Sequence, residues 1–153
     1  MVEALVALLV LSLGLLALGH LLVRHLGENR VASARAVATQ HIDALRDSIA
    51  LNASADYSLD WQAVRVATVD CLRAGCSAAQ TADHDLAAWR ASLVLALPGA
   101  DARVFRASPD ARQTGIAVAW PASDTGAAAE AVPPLAGVEC PANFLCHVLY
   151  FQP

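Results

Sequence analysis

Several residue types are scarce in this sequence, and each scarcity excludes a class of protein. There is no lysine, so arginine supplies all ten cationic side chains, and charged residues make up 16% of the 153 residues. With a net charge of −4, the chain offers no electrostatic support for nucleic-acid binding. Eight glycines, seven prolines and four cysteines are too few for a collagen-like, low-complexity or disulfide-dense protein. The length fits one domain of ordinary size with a short appendage.

What the sequence does have is one long apolar run near its start. Residues 4–23 contain no acid and no arginine, and a helix of about twenty residues extends about 30 Å, the thickness of a bilayer's hydrocarbon core. A cleavable secretory signal would begin with cations and have a shorter apolar stretch, whereas here Glu3 precedes the run and Arg24 follows it. The run predicts a transmembrane or assembly helix over residues 1–25. The alternative is the buried core helix of a soluble protein.

The helical pattern continues beyond the apolar run. Residues 24–50 contain no proline, and Ile42, Leu45 and Ile49 recur on one helical face. We therefore predict one continuous helix of about fifty residues, in which residues 26–50 are an amphipathic continuation. Its apolar stripe is expected to pack on a globular domain formed by residues 51–153.

The globular part is predicted to be α+β. A capping-box pattern at Ser77 and Gln80 predicts a second helix, which ends at Pro98. The apolar repeat of that helix consists of Leu86, Trp89, Leu93 and Leu97. Strands are predicted at 103–107, 115–120 and 147–151, with a turn at 108–110 and a long surface loop at 121–137. These strands would form a small antiparallel sheet packed on a helix, and Trp61, Val64 and Val66 are expected to anchor their segment to the long helix.

Glu3 is an unusual residue beside such a run, because a carboxylate in lipid is costly unless it is paired. The sequence MVEALVALLVLSLGLLALG resembles the mature N terminus of the type IV pilins, and most closely that of the PilV-type minor pilins. Further along, the motif from Cys71 to Cys76, the helix with Trp89 that ends in LPG, and the run GIAVAW resemble the same family.

The resemblance implies a pilin-like fold and a role as a minor pilin of a type IV pilus. It implies that Glu3 pairs, during assembly, with the free N-terminal amine of a neighbouring subunit. The chain would be processed by the prepilin peptidase and held in the inner membrane as a single-pass protein with a periplasmic domain. The assembly machinery would then incorporate it with other major and minor pilins into a pilus at the cell surface. Adhesion, twitching motility or DNA uptake would follow only indirectly, and no cofactor or direct nucleic-acid partner is expected.

The start of the chain departs from the family's pattern. Pilins are made with a short basic leader that is cut before a phenylalanine, and neither is present here. If Glu3 is the family's glutamate, Met1 occupies the third position of the mature chain, so we expect an internal methionine and a true start upstream. The alternatives are a chain that is never processed and, for Glu3, an interfacial acid that reaches headgroup water from the first helical turn.

The four cysteines fall into two local pairs, Cys71 with Cys76 and Cys140 with Cys146. Beyond a membrane span and outside the cytoplasm, such cysteines are usually oxidised. Of the three connectivities, the two local pairs are favoured, and the second pair would resemble the small C-terminal disulfide loop of pilins. A zinc site is the rival interpretation, although the spacings depart from the usual two-residue knuckles.

The sequence lacks the patterns that support catalysis. Asp83, His84 and Asp85 suggest an acid–base cluster, but adjacent helical residues face different directions, so we expect a solvated polar face. There is no G-x-S-x-G, H-E-x-x-H or Walker A pattern and no metal-ligand spacing. We expect no enzymatic activity. Two alternatives to a minor pilin stay open: a minor pseudopilin of type II secretion, and a membrane-anchored periplasmic binding module with no filament role.

Overall fold

The structure, a computed structural model, describes residues 2–107, 113–122 and 138–152. Its elements, in chain order, are α1 (Val2–Leu51), α2 (Ala78–Ala96), β1 (Asp101–Arg106), β2 (Thr114–Pro121) and β3 (Phe144–Phe151). The predicted α+β class is confirmed, with a long apolar N-terminal helix, a second helix and a small antiparallel sheet. The predicted turn at 108–110 and all but the first two residues of the predicted loop at 121–137 lie outside the described residues.

The chain divides into two compact units, and the division falls within α1. The first unit is Met1–Ser33 and the second is Ala34–Pro153. The first unit contains the apolar segment Val2–Leu22. The second contains the remainder of α1, together with α2 and the sheet. All packing of α2 and of the strands described below lies within the second unit.

Within the second unit, α1 has one apolar face that is buried. Ile42, Leu45 and Ile49, whose spacing predicted this face, are each at most 5% exposed, and Ala38 is fully buried. Full burial of an aliphatic side chain of this size contributes about 1.5–3 kcal/mol relative to exposure. Over residues 34–50 the exposed side chains of the helix are polar or alanine, which agrees with the amphipathic prediction, whereas the last residue of α1, Leu51, is 90% exposed.

α2 begins at the predicted cap. The Ser77 hydroxyl accepts a hydrogen bond from the backbone N–H of Gln80, and the Gln80 side chain accepts one from the backbone N–H of Ser77. Both halves of the capping box are therefore formed, and they satisfy two backbone donors that the first turn of a helix otherwise leaves unpaired. The predicted apolar repeat is buried, with Leu86 and Leu93 at most 1% exposed.

α1 and α2 run in opposite directions within the second unit. Near the end of α1, the Asn52 side-chain amide donates a hydrogen bond to the carbonyl of Ala78 at 2.8 Å. Farther along α2, the indole N–H of Trp89 donates one to the carbonyl of His41, also at 2.8 Å. The Trp89 ring is thus buried while its single polar atom is paired.

The sheet is a three-stranded antiparallel meander in the order β1-β2-β3. Val104, Ile116 and Leu149 lie opposite one another across the three strands and share one face. His147 lies on the same face of the sheet as Leu149, and its ring contacts Thr39 of α1. This face therefore packs toward the helix. β3 begins earlier than predicted because Phe144 and its neighbours pair with the end of β2.

The other face of the sheet has a second, smaller apolar cluster. Its buried members are Phe105, Ala117 and Val138, and Trp61 and Val148 pack against them. Gly115 allows the Phe105 ring to lie across β2, since a Cβ at Gly115 would stand 2.5 Å from Cζ of that ring. The ring also meets Tyr150 edge to face, with the centroids 6.0 Å apart.

The prediction that Trp61, Val64 and Val66 anchor their segment to the long helix is wrong. Trp61 packs on the sheet cluster, and Val64 and Val66 are 70% and 67% exposed. Arg65, which lies between the two valines, holds the segment by an ion pair of 2.9 Å with Asp83 of α2. An apolar side chain in an irregular segment does not by itself show whether it is buried, so the sequence did not distinguish these positions.

Candidate assembly segment

The candidate functional segment is the apolar first part of α1. Val2–Leu22 has a mean hydropathy of 2.5, and none of it is buried within the chain. Its leucine and valine side chains are between 50% and 75% exposed. A soluble monomer rarely leaves so large a continuous apolar surface uncovered. By its length and composition this helix could span a membrane.

Glu3 is the only acid in this segment, which also contains no arginine or lysine. It lies in the first turn of α1, where the positive end of the helix dipole stabilises a carboxylate by about 0.3–1 kcal/mol. Its side chain is exposed, and no cationic side chain pairs with it in the part of the chain that the structure describes. Among the described residues, the Glu3 carboxylate thus has no cation to neutralise it.

Ser12, Gly14 and Gly19 make no contact with side chains elsewhere in the described chain. The Ser12 hydroxyl donates a hydrogen bond of 2.8 Å to the carbonyl of Leu9, so it is satisfied within the helix. A Cβ added at Gly14 or at Gly19 would meet nothing within 4 Å. Each glycine nevertheless costs about 1 kcal/mol of helix propensity relative to alanine. Packing among the described residues explains neither glycine.

Charged residues resume directly after the segment. Arg24 Nε lies 3.1 Å from a carboxylate oxygen of Glu28, and His25 Nδ1 lies 3.8 Å from the other oxygen. All three side chains are well exposed, so these contacts add little stability. Membrane-spanning helices often have a cation directly after their apolar segment, and Arg24 has this position.

All four cysteines are in disulfides, Cys71 with Cys76 and Cys140 with Cys146. The Cα atoms are 5.5 Å and 6.0 Å apart, within the usual range. The first disulfide closes the loop directly before the α2 cap, and the second joins the segment before β3 to β3 itself. The sulfurs are therefore not available as thiolate ligands, which removes the zinc interpretation of their spacing.

Asp83 and Asp85 are paired with other parts of the fold, so the expectation of a simply solvated polar face at residues 83–85 is wrong. Asp83 pairs with Arg65, whereas the Asp85 carboxylate accepts a hydrogen bond of 2.7 Å from the hydroxyl of Tyr57. His84 Nδ1 lies 3.9 Å from the other oxygen of Asp85. The two carboxylates thus hold the segment between the helices against α2.

Tyr57 is the centre of a polar cluster that sequence reasoning missed. Its ring is 4% exposed, and burial, together with the hydrogen bond to Asp85, raises the pKa of Tyr57 to about 12. The Asn52 side-chain amide donates to the same hydroxyl at 3.3 Å. The cluster joins the end of α1 to α2, and no local sequence signal identifies residues so far apart as partners.

A second missed contact joins α2 to the first strand. Arg90 Nη2 lies 2.7 Å from Asp101 Oδ1, and the two side chains are 19% and 13% exposed. The other oxygen of Asp101 accepts a hydrogen bond from the backbone N–H of Gln62, which has a φ of 61°. One carboxylate therefore holds α2, β1 and the preceding segment together.

His147 connects β3 to α1. Its Nε2 lies 3.1 Å from Thr39 Oγ1, and the Thr39 hydroxyl donates to the carbonyl of Arg35 at 2.9 Å. Since that hydroxyl has a single proton, His147 is the donor in its own contact with Thr39. Burial and, secondarily, the charge of Arg35 lower the pKa of His147, so the neutral imidazole is favoured.

Among the described residues, no three His, Cys, Asp or Glu side chains are grouped so that they would hold a metal ion. Comparison with known proteins finds no matching family model, no matching curated protein and no matching solved structure. A function for this chain therefore has to rest on its own residues and their contacts.

Proposed function

We propose that this chain is a PilV-type minor pilin, held in a membrane by its N-terminal helix and then incorporated into, or priming, a type IV pilus. The observation that carries the proposal is the uncovered apolar segment Val2–Leu22 with a single acid, Glu3, at its start. The resemblance of this segment and of the Cys71 and Trp89 motifs to the minor pilins supports the same conclusion.

The apolar segment serves two environments in turn. In a membrane, lipid solvates its leucine and valine side chains. In a filament, the same segments of neighbouring subunits replace the lipid, so the apolar surface stays covered throughout. Since that transfer gains little apolar burial, the filament must obtain its specificity from polar or shape-dependent contacts.

Glu3 supplies such a contact. Its carboxylate accepts hydrogen bonds from the protonated N-terminal amine of a neighbouring subunit and forms an ion pair with it, in surroundings where the effective dielectric constant is low. An unpaired carboxylate at the same depth is costly, so a subunit in the wrong register is rejected. In a plain membrane anchor Glu3 would only reach headgroup water, so loss of its carboxylate would matter for a filament subunit and not for an anchored binding module.

The proposal places the second unit, Ala34–Pro153, in the periplasm before assembly and on the pilus at the cell surface afterwards. Two disulfides support an oxidising compartment, because structural disulfides are rare in the cytoplasm. The partners are the other major and minor pilins, the prepilin peptidase and the pilus assembly machinery. No catalytic role is proposed for the chain.

The experiment that tests this function compares Glu3→Ala with Glu28→Ala in the cells that make the protein. Both variants remove one exposed carboxylate from α1, but only Glu3 lies at the start of the apolar segment. We expect both chains to insert in the membrane, and only Glu3→Ala to be lost from sheared filaments. The loss should be on the order of a hundredfold, the equivalent of an uncompensated buried charge.

Two controls keep the comparison interpretable. Disulfide formation and thermal unfolding of the second unit should be the same in both variants, which shows that folding is intact. If the Glu3→Ala chain enters filaments as well as Glu28→Ala does, the assembly role of Glu3 is wrong. If neither variant nor the unaltered chain is found in filaments, the filament function itself is wrong.

A further inference from the structure

The second unit contains a cavity of about 260 Å³ beside the outer edge of β1. It lies between this strand and residues 53–58, and it is lined by Ile49, Asp56, Ser58, Val104, Arg106 and Thr114, among others. The volume corresponds to about nine water molecules at about 30 Å³ each. Space of this size holds one or two residues of an extended peptide.

A strand-like pairing along the outer edge of β1 covers Val104 but does not extend to Arg106. The backbones of Leu59 and Val104 exchange two hydrogen bonds, of 3.0 Å and 2.8 Å, as neighbouring strands do. Among the described residues this pairing does not continue before Leu59, so Arg106 has no such neighbour.

The backbone of Arg106 is left open toward the cavity. Groups two residues apart on a strand point the same way, so the N–H and C=O of Arg106 share the direction of those of Val104. In the part of the chain that the structure describes, neither group has a backbone or side-chain partner. One hydrogen-bonding position of the β1 edge is thus exposed next to a concave surface.

Two charges flank this position. Both carboxylate oxygens of Asp56 accept hydrogen bonds from Ser58, one from its N–H and one from its hydroxyl, each at 2.9 Å. These bonds, with weaker contributions from Arg65 and Arg106, hold the pKa of Asp56 below its usual value. The guanidinium of Arg106 has no ion pair within the described chain and is exposed. Asp56 keeps its negative charge, but both of its oxygens are already hydrogen-bonded, whereas the exposed Arg106 guanidinium is left to pair with an acidic ligand.

We propose that this cavity binds an extended segment of another polypeptide chain, which pairs with the Arg106 backbone and places an acidic side chain against the Arg106 guanidinium. An extended backbone supplies both a donor and an acceptor at the spacing of a strand, which a small anion does not. Ile49 and Val104 give the segment an apolar floor. This interaction does not depend on filament assembly.

The test uses the full chain in detergent micelles and two fluorescent blocked peptides, with the sequences Thr-Val-Glu-Val-Thr and Thr-Val-Lys-Val-Thr. Fluorescence anisotropy should give a Kd for the glutamate peptide about threefold lower than for the lysine peptide, the scale of an exposed ion pair. In Arg106→Glu, the preference should reverse. In Arg73→Glu, which changes an exposed cation in the disulfide loop, it should not.

Two further probes separate strand pairing from charge alone. Methylation of the central backbone nitrogen of the glutamate peptide should weaken binding by about fivefold, the scale of one hydrogen bond. Ala55→Phe, which fills the cavity, should abolish binding, whereas Ala74→Phe on the exposed loop should leave it unchanged.

Three outcomes would overturn the proposal. The first is no preference between the two peptides. The second is equal binding of the methylated peptide. The third is equal binding of free glutamate, which would identify a small-anion site instead of a peptide site.

Discussion

The hydroxyl of Tyr57 donates a hydrogen bond of 2.7 Å to Oδ2 of Asp85. This contact joins the segment that follows α1 to the first half of α2, and it brings a buried phenol to a carboxylate that is about one quarter exposed. A hydrogen bond to an ionised acceptor is stronger than one between neutral groups. The contact therefore holds the segment between the helices against α2.

We predict that Tyr57→Phe lowers the free energy of unfolding by about 1–2 kcal/mol, because it leaves the Asp85 carboxylate without its donor in a partly buried site. Thermal unfolding of the full chain in detergent, followed by tryptophan fluorescence, measures the loss. In a double-mutant cycle with Asp85→Ala, the two changes should be strongly non-additive. Additive effects would show that Tyr57 contributes only its ring.

The two disulfides should contribute differently to the stability of the second unit. Each closes a short loop, so chain entropy alone gives about 2 kcal/mol for either. Cys146 also lies within β3, opposite Ala119, whereas the Cys71–Cys76 loop is mostly exposed. We predict that replacing Cys140 and Cys146 by serine destabilises the second unit more than replacing Cys71 and Cys76. Equal midpoints in guanidinium unfolding would contradict this.

We predict that only glycine fits at position 115 without displacing the ring of Phe105. In Gly115→Ala the new methyl group would meet that ring at 2.5 Å, and the resulting displacement should cost about 1–3 kcal/mol. Gly75→Ala is the matched control, since a Cβ there meets nothing within 4 Å. Combining Gly115→Ala with Phe105→Leu should recover part of the loss, as measured by thermal unfolding. No recovery would mean that the backbone of Gly115, and not the ring contact, is responsible.

Stability should fall with acidification because of His147. Its pKa is below the ordinary 6.5 in the folded chain, so the unfolded chain binds the proton more readily. The stabilisation by neutral His147 is present above pH 6.5 and is lost as the pH falls below that value. His147→Gln should flatten the dependence of the melting temperature on pH below 6.5. An unchanged pH profile in His147→Gln would assign the dependence to another group.

The elements of the second unit were predictable because their signals are local. Ile42, Leu45 and Ile49 repeat within two turns, and the Ser77 cap is complete within four residues. The contacts between elements were not predictable from one sequence. Tyr57 and Asp85, or Arg90 and Asp101, are ordinary polar residues until the fold brings them together.

The candidate assembly segment shows the same division. Its length, apolarity and lone acid are properties of the sequence, and the structure adds that no part of Val2–Leu22 is buried within the chain. What would cover the segment in a membrane or a filament lies outside this chain, so the contacts of the described residues do not identify it. The exposed Val64 and Val66 show the limit of residue type alone, because they were expected to pack on the long helix.

The most direct test of the proposed function is the mass of the N-terminal peptide of the protein isolated from its own cells. The account predicts a methylated phenylalanine two residues before Met1, which would establish processing by the prepilin peptidase and place Glu3 at the assembly position. A chain that begins at Met1, or one that retains a leader, would contradict it and would leave an anchored domain outside the filament.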